Sequence, residues 1–78
     1  MALAGTEREL AVKGQGPLGK AAYDEPVFIL RAQDCLAAEV VEQWAIRARS
    51  LGVNTDKVRE AFDLAEEMLR WPIRKTPD

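Results

Sequence analysis

The stretch Ser50-Leu51-Gly52-Val53-Asn54-Thr55 separates two long helical patterns in this 78-residue sequence. Glycine adopts a positive φ angle without strain, so Gly52 predicts the left-handed residue that ends a helix. Asn54 or Thr55 can accept hydrogen bonds from the first free N–H groups of a following helix. These six residues therefore predict a short turn between two antiparallel helices.

Apolar residues recur with a period of about 3.6 on both sides of this turn, which indicates two amphipathic helices. We expect Asp34 to cap the first helix. The predicted apolar stripe of the first helix is Leu36, Ala37, Val40, Val41, Trp44, Ala48 and Leu51. That of the second is Val58, Ala61, Phe62, Leu64, Ala65, Met68, Leu69 and Trp71. The second stripe covers nearly half of its helix, so we expect this helix to contact more than one element.

The segment 26–32, Pro-Val-Phe-Ile-Leu-Arg-Ala, predicts one β-strand because it is rich in β-branched and aromatic residues. Alternation places Phe28, Leu30 and Ala32 on one face and Val27, Ile29 and Arg31 on the other. A lone strand leaves its backbone groups unpaired, so we expect it to pair antiparallel with a second copy of the chain. The predicted fold is therefore mainly α: one N-terminal strand followed by an antiparallel two-helix hairpin, in a homodimer. The predicted dimer core is Phe28, Leu30, Leu64, Met68 and Trp71.

Three regions follow from the distribution of glycine and proline. Four of the five glycines precede Pro26, so residues 1–25 are predicted to be a flexible arm with at most a short helix or strand across 7–12. Residues 26–72 form the predicted strand-helix-helix domain. Residues 73–78 are predicted to be a frayed tail, because Pro72 cannot continue a helix without losing a hydrogen bond.

Composition excludes several kinds of chemistry. The chain has one cysteine, no histidine and a formal charge of −2, so it forms neither an internal disulfide nor a Cys/His metal site. No pair of carboxylates has a spacing that suggests acid–base catalysis, and we expect no catalytic residue, metal or cofactor. No apolar run is long enough to span a membrane, and Glu7 and Arg8 follow the first residues too soon for a signal peptide. We therefore expect a cytoplasmic, non-enzymatic protein.

The segment 14–20, Gly-Gln-Gly-Pro-Leu-Gly-Lys, matches the spacing of a phosphate-binding loop. Ala21 stands where such a loop needs a Ser or Thr hydroxyl for Mg²⁺, and Pro17 removes one backbone donor. The chain is also too short for the parallel sheet that presents this loop. We interpret the segment as a glycine-rich linker.

A strand followed by two helices resembles the ribbon-helix-helix architecture over residues 27–71. In that family the outward ribbon residues enter the DNA major groove, and the start of the second helix contacts phosphate. The resemblance implies DNA contacts from Arg31, Asn54 and Thr55. Val27 and Ile29 can offer only methyl contacts to base edges, so a DNA-binding repressor is the less favoured alternative. In that alternative Arg8, Lys13 and Lys20 of the arm would also touch DNA.

The run 25–34, Glu-Pro-Val-Phe-Ile-Leu-Arg-Ala-Gln-Asp, followed by Trp44-Ala45 and Gly52-Val53, looks like a group of short proteins carried by bacteriophages and prophages. The resemblance covers residues 25–71. It implies a small accessory protein in the cytoplasm of a bacterial host. We expect such a protein to bind a host protein and to inhibit or divert it, with host defence as one candidate target.

The residues predicted to bind a partner or ligand are Arg31, Arg47, Trp44, Val27 and Ile29. Arg47 falls on the apolar side of its helix, where an unpaired guanidinium would be costly. It either extends to the edge of the stripe, pairs with Asp34 or Glu39, or forms an anion site with Arg31. Trp44 either packs in the core or stacks on a base. A third hypothesis is accordingly an oligomer that sequesters an anionic nucleotide.

Overall fold

The computed structural model describes residues 3–77 and is mainly helical, as predicted. It contains helices α1 (Ala4–Val12), α2 (Gly16–Lys20), α3 (Ala37–Ser50) and α4 (Thr55–Arg70). Helix α1 packs against α2, and α3 packs against α4. Between residues 3 and 77, these two helix pairs make no contact with each other.

The turn between α3 and α4 confirms the prediction for Gly52 and Asn54. Gly52 has a φ angle of 79°, and its N–H donates to the Arg49 carbonyl oxygen at 3.1 Å. The next N–H, of Val53, donates to the Ala48 carbonyl oxygen at 3.1 Å, so the end of α3 is a Schellman motif. The Asn54 side chain accepts hydrogen bonds from the N–H groups of Asp56 (2.8 Å) and Lys57 (3.4 Å). Both helix ends are therefore satisfied by local hydrogen bonds.

The core between α3 and α4 is built mainly from alanine. One cluster, near the open end of the hairpin, contains Ala37, Ala38 and Met68. A second cluster, near the turn, contains Ala45, Ala48 and Val58. Ala37 and Ala45 are both 0% exposed, and none of the larger side chains in residues 3–77 is fully buried. Small side chains allow two helices to approach closely, but each buries little apolar area.

The predicted stripe of α3 is only partly correct. Ala37, Val41 and Ala48 do face α4. The other four members of the stripe are exposed: Leu36, Val40, Trp44 and Leu51. The buried face is rotated away from them toward the smaller side chains, because alanine permits the closer helix contact.

The strand predicted over residues 26–32 is not formed, and the described part of the chain contains no strand or sheet. A strand needs a second strand for its hydrogen bonds, and residues 3–77 supply none. Leu30 and Ala32 instead pack against the cluster of Ala37, Ala38 and Met68. The homodimer prediction rested on this ribbon, so the structure gives it no support.

The five residues of the predicted dimer core separate into three environments. Met68 is buried inside the hairpin, where it contacts α3 of the same chain. Leu30 and Leu64 are half-buried and pack on the same cluster as Met68. Phe28 is 84% exposed, and Trp71 is 51% exposed. They therefore do not form one core within the chain.

The glycine-rich segment 14–20 forms a tight connection and the short helix α2. Gln15 N–H donates to the Leu10 carbonyl oxygen at 2.8 Å, and Gly14, with a φ angle of 70°, donates to Ala11 at 3.0 Å. Gly19 lies against this turn, since a Cβ atom there would be 2.8 Å from the Gly14 carbonyl carbon. The flexibility of residues 1–25 stays a prediction, and Met1 and Ala2 lie outside the described residues.

The C-terminal segment lies beside the turn that precedes α3. Lys75 N–H donates to the Gln33 carbonyl oxygen at 2.7 Å, and Cys35 N–H donates to the Lys75 carbonyl oxygen at 2.9 Å. Asp34 accepts a hydrogen bond from the Leu36 N–H at 2.8 Å, so it closes this turn two residues before the cap position of α3. Fraying of residues 73–78 stays a prediction, and Asp78 lies outside the described residues.

Candidate functional site

The first candidate site is an apolar line along α3 and its two cap residues, beside the face of the helix that packs on α4. We call Leu36, Val40, Trp44, Arg47 and Leu51 the outer stripe; the first three follow one another at intervals of four residues. Val40 is 48% exposed and Trp44 is 49% exposed. Arg47 lies along the same line, and its side chain is exposed too. The stripe therefore combines an aromatic and aliphatic surface with one cation.

The predicted partner-binding residues do not all lie together. Trp44 and Arg47 belong to the outer stripe. Ile29 and Arg31 instead line a small concavity of about 140 Å³ beside the C-terminal segment. Val27 is exposed in the extended segment before it. Arg31 and Arg47 therefore share no concavity within one copy of the chain.

The residues predicted to contact DNA lie at opposite ends of the hairpin. Arg31 lies near Asp34 and Lys75 at the open end. Asn54 and Thr55 lie at the turn, one helix length away, which is about 20 Å for a helix of this size. The Asn54 side-chain oxygen is already engaged with two backbone N–H groups. One copy of the chain therefore does not bring the three residues to one surface.

The second candidate site is a concavity at the turn end of the hairpin, which our sequence reasoning missed. We call it the turn concavity; its volume is about 490 Å³. It is lined by Arg49, Gly52, Val53, Thr55, Val58, Arg59 and Phe62. The Arg49 guanidinium lies 5.5 Å from the centre of the Phe62 ring, which is a cation–π distance.

The turn end is basic although the chain as a whole is acidic. Residues 47–59 contain Arg47, Arg49, Lys57 and Arg59 against the single carboxylate Asp56, a net charge of +3. The whole chain carries −2, so the remaining residues carry −5. This clustering of cations is visible in the sequence and is the signal that could have located the site.

None of these four cations pairs with a carboxylate in the described residues. An ion pair at 3.6 Å instead joins Glu66 and Arg70 on the exposed surface of α4. Two of the four cations, Arg49 and Arg59, line the turn concavity and can bind an anionic group.

Other kinds of site have no support from residues 3–77. No group of three or more Cys, Asp or Glu side chains there is arranged to hold a metal ion. Cys35 is a free, half-buried thiol. The helices described above are all too short or too polar to cross a membrane.

Comparisons with protein-family models, with curated proteins and with solved structures find no match to this chain. The outer stripe and the turn concavity are therefore the two features of the molecule that indicate a function.

Proposed function

We propose that this chain is a non-enzymatic interaction protein of phage type that acts in the bacterial cytoplasm. It binds a host protein through the outer stripe of α3 and inhibits or diverts that protein. The observation that carries the proposal is the position of Leu36, Val40 and Trp44, which lie in one line from the N-cap of α3 into the helix and remain about half exposed. The hairpin uses alanine for its own core and leaves these larger side chains outside.

The spacing of the outer stripe suits one mode of recognition. An amphipathic helix that enters an apolar groove presents anchors four and three residues apart along one face. Leu36, Val40 and Trp44 follow this pattern, and tryptophan is enriched among the residues that dominate binding energy. Arg47 on the same line favours a carboxylate at the rim of the groove. The expected partner is therefore a host protein with an apolar groove bordered by an acidic residue.

The exposed apolar area of this surface can contribute to the free energy of binding. Full burial of a large apolar side chain is worth about 1.5–3 kcal/mol, so the exposed half of each anchor can contribute about 1 kcal/mol. Truncation of a central tryptophan in an interface commonly costs about 2 kcal/mol or more. Trp44 is the residue of the stripe on which the affinity should depend most.

Neither alternative function has a comparable observation in its favour. The ribbon-helix-helix alternative takes its reading face from a strand that residues 26–32 do not form. The nucleotide-sequestering alternative needs Arg31 or Arg47 beside Trp44 around one ligand. Arg31 instead lines a separate, small concavity. Arg47 does lie beside Trp44, three residues further along α3, but neither of them lines the two concavities described above.

The test compares two substitutions at equally exposed apolar positions. Val40→Asp places a carboxylate in the outer stripe, and Leu69→Asp places one on α4 at a side chain that is 52% exposed. Tagged full-length chain captures its partner from a lysate of the host, and the purified partner is then titrated against each variant. We expect Val40→Asp to weaken binding more than about tenfold, because a carboxylate enters an apolar contact, and Leu69→Asp to bind like the original chain.

Two results would overturn the proposal. Equal binding by both variants would place the interface elsewhere on the chain. The absence of any partner whose activity changes on binding would remove the inhibitory role. Circular dichroism melts of both variants establish beforehand that each one folds.

A further inference from the structure

The turn concavity combines apolar side chains with two cations. Its apolar floor consists of Val53, Val58 and Phe62, and Arg49 and Arg59 stand at its border. We propose that it binds an acidic protein segment, with an apolar side chain on the floor and carboxylates at the two arginines.

This site is separate from the outer stripe. Arg49 follows Val40 by nine residues, which at 100° per residue turns its side chain about 180° around α3. The turn concavity and the outer stripe therefore lie on opposite sides of the helix. The proposal does not depend on the function proposed above and adds a second binding surface to the chain.

The position of the Arg49 guanidinium over the Phe62 ring suits the binding of a carboxylate. The distance between the guanidinium carbon and the ring centre is 5.5 Å. A guanidinium held over an aromatic ring still presents N–H groups, and these match both oxygens of a carboxylate. The volume of the concavity, about 490 Å³, lies within the range of about 300–1,000 Å³ that is typical of ligand sites. Arg59, on α4, supplies a second donor on the same concavity.

The charge distribution favours an acidic protein segment over nucleic acid. The lining of the concavity contains two arginines and no carboxylate, whereas the chain outside residues 47–59 carries a net charge of −5. A DNA duplex has one negative charge about every 1.7 Å along its axis and extends well beyond a site of this size. Its phosphates would then meet the acidic remainder of the chain. A short segment with a few carboxylates contacts the arginines alone.

The N-terminus of α4 is not the source of this attraction. Asn54 already accepts hydrogen bonds from the N–H groups of Asp56 and Lys57, so these donors are occupied. The arginine side chains are thus the groups that a ligand carboxylate would reach. The predicted attraction therefore comes from Arg49 and Arg59, which can be substituted without disturbing the Asn54 cap.

The experiment measures binding of a fluorescein-labelled peptide in which glutamate and leucine alternate over about ten residues. Anisotropy is recorded with the full-length chain in about 50 mM salt, where screening is weak. A twin peptide with glutamine in place of glutamate tests the need for carboxylates. We expect the glutamate peptide to bind and its twin to bind at least about tenfold more weakly.

Matched variants separate a specific site from net charge. Arg49→Gln and Arg59→Gln should each weaken binding of the glutamate peptide by about threefold to tenfold. Arg8→Gln removes the same charge from an exposed position of α1, which does not contact the hairpin, and should leave the affinity within about twofold. In a ¹⁵N-labelled sample, the amides of Gly52, Val53 and Phe62 should shift on peptide addition. Val40→Asp should bind this peptide normally, so failure here is distinct from failure of the outer stripe.

Several outcomes would overturn the proposal. If Arg8→Gln weakens binding as much as Arg49→Gln, the attraction reflects net charge alone. Absence of binding up to millimolar peptide would remove the site. If a short DNA duplex binds more tightly than the peptide and depends on the same two arginines, the site belongs to nucleic acid.

Discussion

Substitution of Ala45 by leucine tests whether close packing of α3 on α4 holds the hairpin together. Ala45 is 0% exposed and belongs to the cluster near the turn, with Ala48 and Val58. Two effects of opposite sign compete at this position. The added methylene groups would stabilise the fold if there were space for them, whereas they would force the helices apart if there were none.

The sizes of these two effects determine whether Ala45→Leu raises or lowers the free energy of unfolding. Leucine adds about three carbon atoms, which would be worth about 2 kcal/mol if they could be buried without rearrangement. Overpacking of a well-packed core costs about 1–3 kcal/mol instead. Ala45 is fully buried between α3 and α4 and lines neither concavity described above, so the added atoms would press on α4. We therefore expect Ala45→Leu to lower the free energy of unfolding by about 1–3 kcal/mol.

The assay is unfolding by heat and by urea, followed by circular dichroism at 222 nm. For a domain of this size, the expected loss corresponds to a fall in melting temperature of about 5–20 °C. Gln43→Leu is the control, because Gln43 lies on α3 with an exposed side chain and should change stability by less than about 0.5 kcal/mol. A melting temperature that rises in Ala45→Leu would refute the close helix contact and place unfilled space between α3 and α4.

The two ends of the helices at the turn give the remaining predictions. Gly52→Ala should destabilise the chain by about 1 kcal/mol, because positive φ costs alanine about 1–2 kcal/mol and part of this is offset in the unfolded state. No atom lies within 4 Å of a Cβ added at Gly52, so the backbone angle is the main cost of a substitution. Asparagine tolerates a positive φ better than alanine, and Gly52→Asn should therefore recover part of the lost stability. Equal urea midpoints for the two variants would contradict a cost that arises from the positive φ angle. Asn54→Ala should cost about 1 kcal/mol in the same urea titration through loss of the cap, while Asn54→Ser should retain most of it. Equal stability of the alanine and serine variants would mean that the cap does not contribute.

The turn was predictable because its interactions are local. Gly52 bonds to Arg49, and Asn54 bonds to Asp56 and Lys57, all within three residues along the chain. Such contacts form whenever the residue types and their spacing are right, and they depend little on the rest of the fold. The helical patterns on either side were readable for the same reason.

The strand prediction was wrong because a strand is stabilised by hydrogen bonds to residues far away along the chain. Residues 26–32 have β-branched and aromatic side chains, but a strand forms only where another strand accepts its hydrogen bonds. Within the described residues, Lys75 offers a single parallel bridge to Asp34, beyond the predicted strand. Leu30 finds an apolar environment on the alanine cluster instead. Composition alone does not distinguish these two outcomes.

The sequence predicted some residues of the two candidate binding surfaces but not others. Trp44 and Arg47 were predicted as binding residues, and both lie on the outer stripe; whether they bind a partner stays a prediction. The turn concavity was missed, because Arg49 comes from α3 and Arg59 and Phe62 come from α4. Only the packing of the two helices brings these three side chains to one place.

By itself, the sequence determined two amphipathic helices, the turn between them and the absence of histidine. These depend on residue type and on neighbours a few positions away. The tertiary structure alone decided which of the apolar side chains of α3 are buried against α4. Hydrophobicity ranks leucine, valine and tryptophan above alanine, whereas close contact between two helices favours the smallest side chain. Ala45 therefore faces α4, and Val40 and Trp44 remain on the surface, where they can meet another protein.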